Sequence, residues 1–519
     1  MLNPEQVLRE LLEWSDVRSL PPSSALESLG RLVDVSHELD SNDGVQHALV
    51  LLKQMCEGEL SAEQRVTFNY VIANAYSSLR WRSRADGPSQ WAWEHDTVGL
   101  EILHLRKALQ LARLGHASTA LHCHILTNLA SSMSFVGRVI EAVELWGLAL
   151  QFAPGFAMAA GNLGQGLMAY AGCLYDAGHV ALLLERARNC LAQSLLGDIH
   201  LGFGPEFERM LHDVDRVLAG EPKTNVLTKV FPLGESRDEV AYRQWCLDNV
   251  LFLNPLNDLG SYSVAARDIL TTPPLLTRSG EEPVSQRLFN QLKQSFVSAR
   301  FMAYLGIKGV HPHFSDREVA LYDLPGDDVY GWHTEMLTAS FRSSYSLFDK
   351  LALFIWHYFG LPGRPKEVSF RRVWFDRLDA KRHELSGTFA GRRNWPLRGL
   401  YWLSKDLHGD DDFRESIEPE ARHLAETRHA IEHRYLAIRK GVRSRISEEP
   451  NQGPRPGLLQ NIRRPEFEAS TLRILKLARA ALIYLSMAIH CEDREKCKTI
   501  NESDVSVIHA NLVRDDRKI

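Results

Sequence analysis

Residues 123–154 read CHILTNLASSMSFVGRVIEAVELWGLALQFAP, and the order of large and small side chains in that stretch decides the fold. Leu126 and Leu129 are followed by Ala130, then by Ala142, Trp146 and Ala149, and the stretch closes on Pro154. Small residues at fixed places let two antiparallel helices approach closely, with the large residues filling the seam. A helix pair of this kind buries one face by itself and needs a stacked neighbour to bury the other, so the pattern predicts an array.

Working outward, the array is present. Counted from Cys123, the positions resemble a tetratricopeptide repeat, whose unit is about 34 residues long. A second unit opens at Ala157 with Leu163-Gly164 at the paired signature positions and runs to about Leu196, through a longer turn at Asp176-Ala177-Gly178. An earlier, degenerate unit runs from Val66 through Ala75-Tyr76 to Leu103, Ala108 and Leu111, interrupted by an insertion from Arg82 to Asp96. Stacked units of this type make a concave groove, expected to hold a protein or peptide ligand. The alternative is a scaffold that only positions or dimerises the chain.

Composition sets the outer limits. A chain of 519 residues exceeds what one core usually serves, so two or three domains are expected. With 45% hydrophobic and 24% charged residues and a net charge of -5, it has ordinary globular usage and no global attraction for nucleic acid. Any RNA contact must come from a local patch. Seven scattered cysteines without a C-x-x-C pair indicate neither a disulfide framework nor structural zinc. The start of the chain has no secretory pattern, and the longest apolar run, about 480–489, is far shorter than the ~20 residues of a membrane span. A cytoplasmic protein making no membrane contact is expected.

The remaining chain completes an all-α expectation: a helical cap at 1–60, the repeat array at 61–218, a connector at 219–290 and an elaborated four-helix bundle at 291–519. The connector contains Trp245, Asn254-Pro255 and Asn257-Asp258, which suit a short helix followed by an ordered joint. Helical periodicity returns at 287–305, 339–359, 419–439 and 468–492, separated by Pro- and Gly-rich turns. A small hairpin arm is expected at 368–374. Deleting residues up to about 218 is expected to leave the bundle folded.

Chemistry concentrates in the third of these helices, at Arg428-His429-Ala430-Ile431-Glu432-His433. Cutting RNA without a metal requires a base for the 2'-hydroxyl proton, an acid for the leaving 5'-oxygen and a cation for the phosphorane. Histidine titrates near neutrality and arginine grips two phosphate oxygens, so His433 and Arg428 are the candidate catalytic pair. Five positions apart on a helix, they diverge by about 140°, which favours an assembly in which a second copy faces the first. His429, Glu432 and Asp349 are candidate supporting groups. Arg434, Arg439, Lys440 and Arg443 supply a local cationic run for RNA binding.

The spacing resembles the R-x4-6-H signature of the HEPN superfamily. Further words resemble its bacterial branch that carries tetratricopeptide repeats: Tyr242 to Cys246, Leu251 to Asp258, Ser346 to Lys350, Tyr401 to Asp406 and Ala480 to Leu485. The resemblance implies a homodimer in which two motifs form one cleft, metal-independent endoribonuclease activity leaving 2',3'-cyclic phosphate ends, no cofactor, and service as a toxin or antiviral effector. His429 stands where many members have Asn.

Two other readings compete. His429-x-x-Glu432-His433 also fits the inverted zincin order H-x-x-E-H, with Glu432 as base and a third ligand sought at Glu492, Glu495 or Glu502. A non-catalytic interaction scaffold is the other. His311-Pro312-His313 reads as loop, Gly161 to Gly166 is not a phosphate-binding order, and neither a Walker A sequence nor a G-x-S-x-G elbow occurs.

Overall fold

The computed structural model describes residues 3–83, 91–199, 202–220, 226–273, 276–277, 283–322, 327–379, 382–407, 421–440, 459–498, 506–507, 513–515 and 518. Among these the protein is all-α, with three short two-stranded pairings.

Helices α1 (Pro4–Leu12), α2 (Pro22–Glu38) and α3 (Asn42–Leu52) form a cap whose Leu26, Leu29, Val33 and Leu52 close over Phe68, Val71 and Ala75 of α4 (Ala62–Ser83). Three helical hairpins follow. They are α4 with α5 (Asp96–Arg113), α6 (Thr119–Phe135) with α7 (Val139–Phe152), and α8 (Ala157–Ala171) with α9 (Ala177–Ser194); α10 (Gly204–Leu218) packs on α9. Ala130, Ala142 and Ala149 are fully buried in the seams, and a side chain at Gly166 would strike the Trp146 indole. The small-residue pattern therefore records the spacing between helices.

After α11 (Arg237–Asp248) the connector is an ordered joint held by two buried guanidinium groups. Arg479 donates from Nη1 to Asp258 at 2.6 Å and from Nη2 to the Asn254 carbonyl at 2.9 Å, while Tyr170 donates to the other Asp258 oxygen at 2.8 Å. Arg300 donates to both carboxylate oxygens of Asp268 at 2.8 and 2.7 Å and to the Leu251 carbonyl at 2.9 Å. Buried charges persist only where paired and hydrogen-bonded, so these arginines pin the joint to the helices that carry them.

The bundle comprises α12 (Val284–Lys308), α13 (Trp332–Tyr358), α14 (Gly387–Ala390), α15 (Trp395–Leu407), α16 (Ala421–His433) and α17 (Arg464–Cys497). Strand β1 (Leu276–Thr277) pairs with β6 (Ser506–Val507). The hairpin forms at β2 (Phe375–Asp379) and β3 (Arg382–Leu385), just beyond the expected 368–374. The helix expected to run to Arg439 stops at His433. Its continuation is β4 (Tyr435–Arg439), parallel to β5 (Leu459–Arg463), with Ile438 opposite Ile462 and both buried. The chain at 327–329 lines its other edge, through Val329 N to Ile438 O at 2.7 Å and Lys440 N to Asp327 O at 3.1 Å. Partners distant in sequence convert this segment from helix to strand.

One apolar core crosses the whole junction between array and bundle, from Val66 to Ile489. Trp93, in the insertion, accepts a hydrogen bond on its carbonyl from Trp402 and donates from its own ring to the Arg392 carbonyl, at 2.9 and 3.0 Å. Asp406 lies buried between Arg106, bound through both oxygens at 2.8 and 3.0 Å, and Arg138. Gly137, at φ +92°, abuts Gly399 backbone to backbone. Tyr484 of α17 accepts from Ile140 N at 2.9 Å, and Lys476 meets Glu144 at 2.7 Å. The groove expected for a ligand is thus partly lined by the chain's own α17. A cavity of about 1010 Å³ remains, bordered by Arg113, Glu144, Arg186, Asn257, Leu472 and Lys476. Removing residues up to 218 would strip Trp402 and Asp406 of their partners, so the expected independence of the bundle is not supported by this packing. No helix among the described residues is long and apolar enough to cross a membrane.

Burial alone would raise the Asp406 carboxyl, but Arg106 and Arg138 together hold it far below the usual carboxylate range. A depressed folded pKa contributes stability above the unfolded value near 3.9 that disappears as pH falls towards the folded one. Asp406→Ala removes the buried carboxylate that Arg106 and Arg138 share, with Glu141 still 2.6 Å from Arg138, and is expected to cost about 3–5 kcal/mol, while Asp406→Asn flattens the acid limb of a pH-stability profile followed by thermal denaturation. Gly399→Ala would ordinarily favour a helix by up to ~1 kcal/mol. Here the methyl would meet the Gly137 carbonyl, so a loss of about 1–3 kcal/mol is expected, read as a lower denaturation midpoint.

Candidate active site

Arg428 leaves α16 toward α13. Its guanidinium lies 4.5 Å from the centre of the Tyr345 ring, with Asp349 at 3.7 Å and Glu432 at 3.3 Å, and the side chain is about one-third exposed. Tyr345 is itself buried and donates to the Leu407 carbonyl at 2.8 Å. Burial pushes its hydroxyl up to about 12, with the Arg428 charge acting the other way. The arginine therefore rests on a neutral aromatic platform with two carboxylates steering its fork.

His433 occupies the last position of α16 and is 63% exposed. Its Nε2 lies 3.7 Å from Glu432, and its ring centre is 5.2 Å from that of His429, one turn earlier. Arg428 and His433 thus diverge as their spacing requires, one toward α13 and one toward solvent. Glu432 touches both. Asp349 does double service, since its other oxygen accepts from Phe370 N at 3.1 Å. The supporting candidates Asp349, Glu432 and His429 are accordingly all gathered at this site.

The cationic run is less uniform than its spacing suggested. Arg434 and Lys440 are exposed, but Arg439 sits 3.3 Å from Asp328, which the 327–329 edge brings in along with Asp327. Arg443 lies outside the described residues. Sequence reading missed Tyr345 and Arg342, whose guanidinium donates to the Ile431 carbonyl at 3.3 Å. A signal existed: residues 342, 345 and 349 share one face of α13 at three- and four-residue spacing.

Among the described residues the zincin arrangement does not find its third ligand. Glu492 is taken by Arg392 and by Asn394 at 2.8 Å, Glu495 pairs with Lys498 at 2.7 Å, and Glu502 lies outside the described residues. No group of three or more metal-binding side chains occurs among the described residues. The His311-Pro312-His313 segment is loop, as expected, with His313 stacked 4.6 Å from Trp332.

Compared with known families, residues 276–492, somewhat under half of the chain, match the family described as LA2681-like HEPN. The match spans α12 to most of α17 and includes Arg428, His433, Asp349 and Tyr345. The C-terminal part of the chain therefore carries a HEPN-superfamily domain. HEPN domains are commonly ribonucleases, so a nuclease class is the coarse functional frame. No curated protein matches the chain, and no solved structure does.

Little of the fold depends on these side chains. The Arg428 ring contact is worth about 0.5–1 kcal/mol, and partly exposed ion pairs contribute about 0–1 kcal/mol. Arg428→Ala and His433→Ala are expected to retain the wild-type circular dichroism spectrum and to unfold within a few degrees of it.

Proposed function

We propose that this protein is a metal-independent endoribonuclease of HEPN type that acts as a homodimer. The observation that carries the reading is the Arg428–Glu432–His433 cluster at the open end of a helix inside the HEPN-matched region. Arg428 supplies a fixed charge for the phosphorane, and the exposed imidazole of His433 supplies proton transfer. One copy offers one of each, pointing apart. A facing second copy supplies the other half of a cleft, in which one imidazole takes the 2'-hydroxyl proton and the other protonates the leaving 5'-oxygen. Glu432 orients Arg428 and His433 until substrate phosphate competes for the guanidinium.

Exposed aromatic rings beside this helix end support docking there: Tyr435 is 66% exposed, and Tyr330, next to the 327–329 edge that borders β4, is also open to solvent. Arg434 and Lys440 add charge for the RNA backbone. The stacked hairpins of the first half, read as tetratricopeptide-like units, serve as the sensing or partner-binding module, and the whole acts as a cytoplasmic toxin or antiviral effector. A non-catalytic scaffold is the reading this must displace.

The test is incubation of purified full-length protein with total RNA in EDTA, followed by sequencing of the new ends. Wild type is expected to leave 2',3'-cyclic phosphates, His433→Ala to be slower by about 100-fold or more, and Arg428→Ala by about 100- to 1000-fold. Equal RNA decay with all three proteins would establish the scaffold instead.

A further inference from the structure

The junction between array and bundle carries two thiols from opposite sides. Cys173 lies in the turn after α8, buried, and Cys491 lies on α17, partly open to solvent. Four further contacts hold the turn on that face of the helix. Arg494 donates to the Gly172 carbonyl at 3.1 Å, the Tyr175 and His490 rings are 6.1 Å apart, and Tyr175 and Ser486 both donate to the Thr271 carbonyl, at 3.1 and 2.6 Å. Between these flanking contacts the two sulfur atoms share a hydrogen bond.

The two thiols are not equivalent. The hydrogen bond from Cys173 lowers the Cys491 thiol below its ordinary value; burial opposes this and the nearby Arg494 charge assists it. The Cys173 thiol is raised by the same hydrogen bond and by burial. A lowered, partly exposed sulfur beside a cation is the attacking partner, and a buried thiol in contact with it is the resolving one. None of this bears on the Arg428–His433 site, so it stands whether or not the chain cuts RNA.

We propose that Cys173 and Cys491 are a site of oxidative modification, at which a peroxide converts the two thiols into a disulfide joining the repeat array to α17. The Cys491 thiolate attacks one oxygen of hydrogen peroxide, the O–O bond breaks, and the departing hydroxide takes up a proton to leave as water. Cys491 is then a sulfenic acid. The Cys173 sulfur attacks the Cys491 sulfur, an S–S bond forms as the S–O bond breaks, and the hydroxyl leaves with the Cys173 proton as a second water. The sulfur pair loses two electrons and the peroxide gains them. A thiol reductant reverses the step by exchange. The loop closed in this way spans both halves of the molecule, so oxidation constrains the unfolded chain strongly.

The experiment treats full-length protein with hydrogen peroxide, alkylates the remaining thiols, and maps non-reduced peptides by mass spectrometry. The expected result is a linked peptide containing Cys173 and Cys491, loss of two alkylatable thiols of the seven, reversal by dithiothreitol, and a denaturation midpoint several degrees higher in the oxidised form. Cys173→Ser is expected to stop at a sulfenic acid on Cys491 that dimedone captures, and Cys491→Ser to leave Cys173 unreacted. Both variants replace one atom and are checked for fold by circular dichroism, while the wild-type peptide map stands without them. Full alkylation of Cys173 and Cys491 after oxidation of the exposed Cys56 or Cys497, or a disulfide linking Cys491 to any other cysteine, would overturn the proposal.

Discussion

A buried carboxylate, Asp406, ties the two halves of the molecule together at the centre of their junction. It sits at the last turn of α15 and is nearly inaccessible to water, yet it stays ionised because Arg106 and Arg138, from two different hairpins of the array, meet it together. Isolated charges are not tolerated in such a place. The cost of desolvating these charges is offset by the geometry in which Asp406 meets both arginines and Glu141 meets Arg138 as well. Everything around it follows the same requirement: the glycine-to-glycine approach of Gly137 and Gly399 brings α15 close enough for the carboxylate to reach, and Trp93 with Trp402 closes the adjoining face.

The helical hairpins of the first half were readable because their pattern is local. Ala130, Ala142, Trp146 and Ala149 are placed by helix period and by the neighbouring hairpin, and both are encoded within some 30 residues of sequence. The cluster around Arg428 was readable for a similar reason, since Glu432 lies one turn away on the same helix. What escaped was whatever depends on distant partners. Trp395 to Leu407 contains Pro396 and Gly399, which argue against helix in isolation, but Pro396 falls in the first turn, where its missing N–H costs nothing. Residues 435–439 continue a basic, helix-compatible run, and only pairing with 459–463 and 327–329 turns them into strand. Tyr345 lies within the periodic helix at 339–359, and its part in the site comes from Arg428, which reaches its ring from α16.

The same distinction explains the groove. Periodicity could specify a concave surface without specifying what occupies it, because the occupant is some 300 residues further along the chain. Along the array, α17 supplies Tyr484 to Ile140 and Lys476 to Glu144, while Arg479 reaches the joint at Asp258. An array that holds a helix of the bundle this way has less free surface for a separate ligand than its repeat-like pattern implies, and the cavity of about 1010 Å³ is the part left open.

The junction and the candidate site are also adjacent in covalent terms. Asp406 precedes Leu407, whose carbonyl accepts the Tyr345 hydroxyl; the Tyr345 ring supports Arg428; and Arg428 shares Glu432 with His433. From the repeat hairpins to the exposed imidazole there are only a buried ion pair, one peptide unit, one hydrogen bond, one ring contact and one bridging carboxylate. A shift of α15 relative to α13 moves the hydroxyl anchor of Tyr345, and a tilt of that ring changes the surface on which the guanidinium rests. Packed interiors respond to such shifts by switching between discrete arrangements rather than deforming smoothly. The Asp406 contact with the array and the carbonyl that anchors the Tyr345 ring beneath Arg428 thus lie on successive residues of α15.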